Sequence, residues 1–237
     1  MNICVICEKK SYFCIVRIVR PSKIFRIFYP SLLWEMPKTG EKTLYLTFDD
    51  GPHPLITPKV LEILKRYNAK ATFFCIGNNV QKYPATFELI KKEGHSVGSH
   101  TFNHENGWKT PTDAYIKSFQ DANALIHSNL FRPPHGKIKR LELRKLQTSN
   151  SKLQTPNSKL VTVAWSVIAY DWDHALSPED VYQNVIKNAT DGSIVTFHDS
   201  LKAYNNMISA LPKVLEYYSE RGYKFKEIPH STSFRSE

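Results

Sequence analysis

Apolar residues along this chain of 237 residues fall into short blocks, each followed by a longer stretch of helical periodicity. Leu44-Tyr45-Leu46-Thr47-Phe48 is such a block and reads as a buried strand. Thr57-Pro58 then signals a helix, with Thr57 as N-cap and Val60, Leu61 and Leu64 as its apolar stripe. Residues 71–76 predict a second strand. The helix after it is expected to run to about Glu93, where Gly94 suits the C-terminal cap. Residues 95–99 predict a third strand. Thr112 caps the next helix, with Ile116, Phe119 and Ile126 inward, and Leu130-Phe131 is a short strand ending at Arg132. Residues 161–168, rich in β-branched side chains, predict one further strand. Ser177-Pro178-Glu179-Asp180 starts a helix, with proline in its first position and an acid in its third. A strand over 193–197 and a last helix ending near Gly222 complete the pattern.

Strand and helix alternating in this way imply a parallel sheet with helical crossovers. A single α/β barrel fits the length, since such barrels run roughly 200 to 250 residues. Asp49, Asp50, His100, Arg132, Asp171 and His198 each stand just after a predicted strand. The C-terminal ends of barrel strands form one working face, so these groups are expected to meet.

Some features lie outside the alternation. Residues 1–42 form a basic segment, with Lys9, Lys10, Arg17, Arg20, Lys23 and Arg26 between short apolar runs. Those runs are too short for a signal peptide's core or a membrane span, so a cytoplasmic or membrane-associated protein is expected. A basic amphipathic segment can also lie on a membrane surface. The net charge of +10 suits an anionic partner, but no nucleic-acid motif is present and no nucleic acid is expected. Cys4 and Cys7 have C-x-x-C spacing without a second such pair, and Cys75 in an apolar run reads as a buried thiol. Lys145-Leu146-Gln147-Thr148-Ser149-Asn150-Ser151 recurs almost unchanged from Lys152, so residues 145–160 predict an inserted surface loop. Residues 43–230 then form the main domain, and a monomer is expected.

Two sequence clusters carry the chemistry. Thr47-Phe48-Asp49-Asp50-Gly51-Pro52 ends a strand with adjacent carboxylates, and His100-Thr101-Phe102-Asn103-His104 places two imidazoles at i and i+4. Together they supply one base and three ligands for a divalent cation. Alternation would aim Asp49 and Asp50 to opposite sides, so the turn at Gly51-Pro52 must redirect one of them. Two imidazoles and a carboxylate suit zinc, with cobalt, nickel or iron able to use the same set.

With Arg132-Pro133-Pro134-His135-Gly136, Asp171-Trp172 and Val195-Thr196-Phe197-His198-Asp199, these clusters resemble the five ordered motifs of the NodB-homology polysaccharide deacetylases, carbohydrate esterase family 4. The resemblance covers about residues 43–228 and implies a distorted (β/α) barrel. It implies Asp49 as base, Asp50, His100 and His104 as metal ligands, and Arg132 as the partner of Asp49. It also implies His198 as general acid and the His135 backbone N–H as oxyanion donor. Trp172, Val195 and Phe197 become candidates for the pocket of the acetyl methyl. For the partner of His198 the residues leave Asp171, Asp173 and Asp199 open, and the resemblance favours Asp171. His135 stands where the family often has tyrosine, which bears on substrate choice. The implied activity is removal of N-acetyl groups from an amino-sugar polysaccharide, chitin-like or peptidoglycan-like. Alternatives are an esterase on O-acetyl groups, a non-carbohydrate amidase, or a catalytically silent carbohydrate-binding relative.

Overall fold

The computed structural model describes residues 3–6, 15–38, 40–149 and 159–230. Cys7 and residues 150–158 lie outside them, so the C-x-x-C pair and most of the tandem repeat do too. Two N-terminal strands, Ile3–Ile6 (β1) and Ile15–Ile18 (β2), pair antiparallel apart from the main sheet, and Lys23–Phe28 (α1) follows. The repeat of strand and helix begins with Thr43–Asp49 (β3), Thr57–Arg66 (α2) and Ala71–Cys75 (β4). Next come Gly77–Lys82 (α3), Pro84–Lys92 (α4), Ser96–Ser99 (β5) and Thr112–Ile126 (α5). Leu130–Phe131 (β6), Arg140–Ser149 (α6), Val161–Thr162 (β7) and Val167–Ile168 (β8) follow. Pro178–Ile186 (α7), Ile194–His198 (β9), Tyr204–Ser219 (α8) and Lys224–Phe225 (β10) complete the chain.

The main sheet runs β7-β6-β5-β4-β3-β9-β8, with β10 beside the start of β3, and its ladders are parallel. Every residue of β3 and β4 is buried because both faces of the sheet are covered, which is why these strands read as near-continuous apolar runs. Period-two alternation divides their side chains. Leu46, Phe48, Phe73, Val195 and Phe197 pack outward in one core with residues of α2, α7 and α8. The Phe48 ring stacks at 5.0 Å on Phe73 and at 6.0 Å on Phe197. Tyr45, Phe74, Leu130, Val163 and Ile194 form a second, inner core. Cys75 is buried and free, as its apolar run predicts.

The sheet is a barrel with a distorted seam. Residues 161–168 do not form the single strand expected of them. Their two ends pair with β6 and β9, which lie toward opposite edges of the sheet, and one straight strand cannot reach both. The N-terminal segment covers the opening. Leu33 N–H donates to Thr162 O at 2.9 Å, and Ala164 N–H donates to Leu33 O at 2.8 Å. Ile168 N–H donates to Val19 O at 2.9 Å, while Arg17 pairs with Asp173 at 2.7 Å.

Three helix boundaries also differ, one being the start of α5, where Pro111 and not Thr112 is the N-cap and no side chain caps the helix. Thr57 is the first residue inside α2, after Ile56 as N-cap, because its hydroxyl is committed to Asp199. The helix expected to reach Glu93 breaks into α3 and α4 at Tyr83-Pro84, where proline has no N–H to continue the ladder. The start of α7 is as predicted, since Ser177 Oγ accepts from Asp180 N–H and Asp180 Oδ2 accepts from Ser177 N–H. We predict that Ser177→Ala lowers unfolding free energy by about 1 kcal/mol. A urea midpoint unchanged from wild type would show that this cap does not hold the helix.

Candidate active site

Asp49 ends β3, level with His198 on β9 and Phe74 on β4. The strand stops there because Asp50 adopts a left-handed backbone (φ 79°), which swings its carboxylate to the same side as that of Asp49. The turn resolves the conflict set by alternation. A side chain at Gly51 would collide with the Asp199 carboxyl, so only glycine fits beneath the two acids. Asn79 pins the turn from α3 by donating its side-chain N–H to Asp50 O at 2.8 Å.

The Nε2 atoms of His104 and His100 lie 3.2 and 3.8 Å from Asp50 Oδ1, and the three ligand atoms fall within 4.8 Å of one another. His100 Nδ1–H donates to Arg132 O at 2.8 Å, which leaves Nε2 as the lone-pair atom facing Asp50. Burial holds the His100 pKa down at about 4, so the ring is neutral at physiological pH. Asp50 Oδ1 is buried without a hydrogen-bond partner among the described residues. An orphaned carboxylate oxygen facing two imidazole Nε2 atoms is the donor set of a divalent cation, and the residues present fit one.

On the other side of Asp49 lies Arg132, whose side chain is fully buried. Its Nη1 donates to Asp49 Oδ1 and to Thr47 Oγ1, both at 2.7 Å, and its Nη2 donates to Ala164 O at 2.9 Å. The guanidinium also lies 4.2 Å above the Phe74 ring. His198 Nδ1–H donates to Asp171 Oδ1 at 2.9 Å, and its backbone N–H donates to Asp171 Oδ2 at 2.7 Å. The rival acids are engaged elsewhere, Asp173 with Arg17 and Asp199 with Thr57. Burial disfavours charge on His198, but the Asp171 carboxylate and its hydrogen bond outweigh it and raise the pKa to about 9.

The structure thus brings Asp49, Asp50, His100, His104, Arg132, Asp171 and His198 together at one edge of the sheet. Trp172 joins them, its ring meeting His198 edge-on at 4.5 Å, and the His135 ring stands 4.4 Å from that of His104. Val195 and Phe197 do not join. They alternate with Thr196 and His198 and point into the helix-packed core, so they do not line an acetyl pocket. The same alternation identifies what sequence reasoning passed over. Thr47 and Thr196 share the faces of Asp49 and His198, with their hydroxyls 3.2 Å apart beneath the site. Asp199, a candidate partner of His198 in the sequence, lies instead against Thr57: burial raises its carboxyl to about 7, against the pull of the Thr57 hydroxyl bond at 2.5 Å.

Seven non-glycine residues have positive φ among the described residues, and five of them (Asp50, Thr101, His104, His135 and Tyr170) stand in the loops around this edge. Such conformations concentrate where the surroundings hold side chains in functional positions. Two outcomes follow from the geometry. Arg132→Met should destabilise the fold by roughly 3–5 kcal/mol, because the buried Asp49 charge loses its counter-ion; a denaturation midpoint near wild type would contradict this. Asp171→Asn should move the alkaline fall of kcat/KM from near pH 9 toward the ordinary imidazole value of about 6.5. The direction follows because an acid must hold its proton, and the substitution removes what keeps that proton on His198. An unmoved alkaline limb would detach His198 from the profile.

The described residues contain no helix long and apolar enough to cross a membrane. Comparison with known proteins agrees with the geometry. The Polysaccharide deacetylase family profile matches residues 36–151. A peptidoglycan-N-acetylglucosamine deacetylase of Bacillus cereus is 34% identical over 200 residues, covering 82% of this chain and 90% of that protein. A chitooligosaccharide deacetylase of Azorhizobium caulinodans is 34% identical over 167 residues, covering 68% of this chain and 75% of the relative. A crystal structure of a peptidoglycan N-acetylglucosamine deacetylase superposes with a TM-score of 0.77 at 29% identity, covering 86% of this chain and 94% of the other. A barrel with two imidazoles and two carboxylates gathered at its strand ends, and relatives alike across most of their length, make this chain a member of the polysaccharide deacetylase family, hydrolases of carbon–nitrogen bonds other than peptide bonds.

Proposed function

We propose that this chain is a metal-dependent hydrolase that removes N-acetyl groups from the amino sugars of a peptidoglycan-like or chitin-like glycan, releasing acetate. One observation carries the reading: the Asp50, His100 and His104 ligand atoms lie within 4.8 Å of one another, between an arginine-tied Asp49 and an acid-paired His198. The named activities of the similar deacetylases support the substrate class. Asp50, His100 and His104 are the residues that would hold the ion, zinc first, with cobalt, nickel or iron as substitutes. When bound, it supplies Lewis acidity to the amide carbonyl and the attacking water.

The chain's own groups do the rest. Asp49, held by Arg132, takes a proton from the water as its oxygen adds to the carbonyl carbon. The bond to Arg132 engages Oδ1 and fixes the carboxylate plane, so Oδ2 is the oxygen available as base. The His135 backbone N–H receives the developing oxyanion. His198 holds its proton at neutral pH because Asp171 favours the imidazolium. It gives that proton from Nε2 to the amide nitrogen as the C–N bond breaks, since Nδ1 is occupied by Asp171. Acetate and a free amine are the products. Trp172 packs on the His198 ring and fixes its orientation.

Acetate release from N-acetylglucosamine oligomers, peptidoglycan and acetylated xylan tests the substrate class. Release from the first two, with little from xylan, is the expected result, and the reverse preference would make the chain an O-acetyl esterase. Dialysis against a chelator should abolish turnover, and zinc or cobalt should restore it; full activity after verified metal removal would defeat the mechanism. Asp49→Asn should retain bound metal by elemental analysis while kcat drops by roughly 10²–10⁴. Near-normal turnover in that variant would assign the base elsewhere.

A further inference from the structure

The first described helix has an unusual surface. In α1, Ile24, Ile27 and Phe28 occupy positions i, i+3 and i+4, which lie on one helix face. Their exposures of 63%, 74% and 56% make that face an apolar stripe open to solvent. A soluble surface carries single apolar residues freely, but three large ones on one short face mark a contact surface. Phe25 turns the other way. It lines an apolar groove of about 280 Å³ with Ile18, Tyr29 and Trp34, and the groove continues to Trp165 and His135 at the active-site edge. The stripe therefore stands on one wall of the approach to the cleft.

The charges around it have one sign in excess. Arg26 and Arg20 share a single acid, Glu35, at 2.7 and 3.8 Å. Arg140, exposed at the start of α6, donates to Phe28 O at 3.5 Å, so a third cation abuts the stripe. The whole chain carries +10. Apolar side chains flanked by the exposed Arg140, on a strongly basic protein, complement an anionic lipid surface: the side chains enter the acyl boundary while the basic surface meets the headgroups. A six-residue helix is too short to span a bilayer but long enough to lie in its plane.

We propose that α1 docks this protein onto an anionic membrane surface through Ile24, Ile27 and Phe28, which sets the cleft beside the lipid plane and directs it to acetylated glycan held close to the membrane. Three inserted side chains give weak, reversible attachment, so the binding should depend on salt.

Sedimentation of the full chain with vesicles tests this, using phosphatidylglycerol mixed into phosphatidylcholine against phosphatidylcholine alone. Wild type should partition onto the anionic vesicles and be released as salt rises. The double variant I27D/F28D should bind them roughly tenfold more weakly or worse, because it loses apolar insertion and gains repulsion. Wild-type thermal unfolding shows that the variant is folded, and unchanged acetate release from a soluble oligomer shows an intact site. Vesicle binding needs no turnover, so a failure of the deacetylase reading leaves this result readable. Wild type remaining in the supernatant at low salt would overturn the proposal. So would equal binding to neutral vesicles, or full binding by the variant. A wild-type dimer that the variant dissociates, without vesicle binding, would make the stripe an interface between copies.

Discussion

A guanidinium with no access to solvent holds this site together. Removing Arg132 from water is costly, and the cost is offset by the partners of its two terminal nitrogens, its Nε being left without one among the described residues. Asp49 and Thr47 accept from one nitrogen, Ala164 O accepts from another, and the Phe74 face lies against the plane. The residue's own carbonyl accepts from His100. One buried cation thereby fixes the acid at the end of β3, a histidine after β5 and the chain that crosses the barrel seam.

The two inward-facing histidines on either side of Asp50 are driven in opposite directions by their partners. His100 is buried and gives its Nδ1–H to a neutral carbonyl, so it stays uncharged and keeps a lone pair. His198 gives its Nδ1–H to a carboxylate, so burial is overcome and the ring keeps its proton. In the proposed mechanism, environments that push titratable groups apart divide the labour of the site, since a ligand must be unprotonated and an acid must not be. The fold arranges this with a backbone oxygen in one place and Asp171 in the other.

The seam explains why residues before the first barrel strand belong to the architecture. Where β7 and β8 part, the sheet leaves backbone donors and acceptors without a neighbouring strand, and Val19 and Leu33 satisfy several of them. The same segment raises the wall that carries Phe25, Tyr29 and Trp34 beside the cleft. An element outside the strand–helix repeat thus shapes the approach to a site built wholly from the repeat.

Much of this was legible in the linear chain. Apolar blocks at regular spacing dictate parallel strands with helical crossovers, and residues placed just after such strands must gather at one edge. Asp49, Asp50, His100, Arg132, Asp171 and His198 were placed for that reason, His104 by its i, i+4 spacing from His100, and the resemblance implied their roles. Val195 and Phe197 were misplaced because pocket membership depends on which face of β9 meets the cleft, and alternation assigns that face to Thr196 and His198. The residues alone left Asp171, Asp173 and Asp199 open as partner of His198, with the resemblance favouring Asp171, and what packs against each acid pairs Asp171 with His198 and the other two elsewhere. The break within residues 161–168 and the exposed stripe on α1 depend on contacts between distant segments. Periodicity reports how a segment meets water and a core in general; only tertiary packing decides which neighbour it meets.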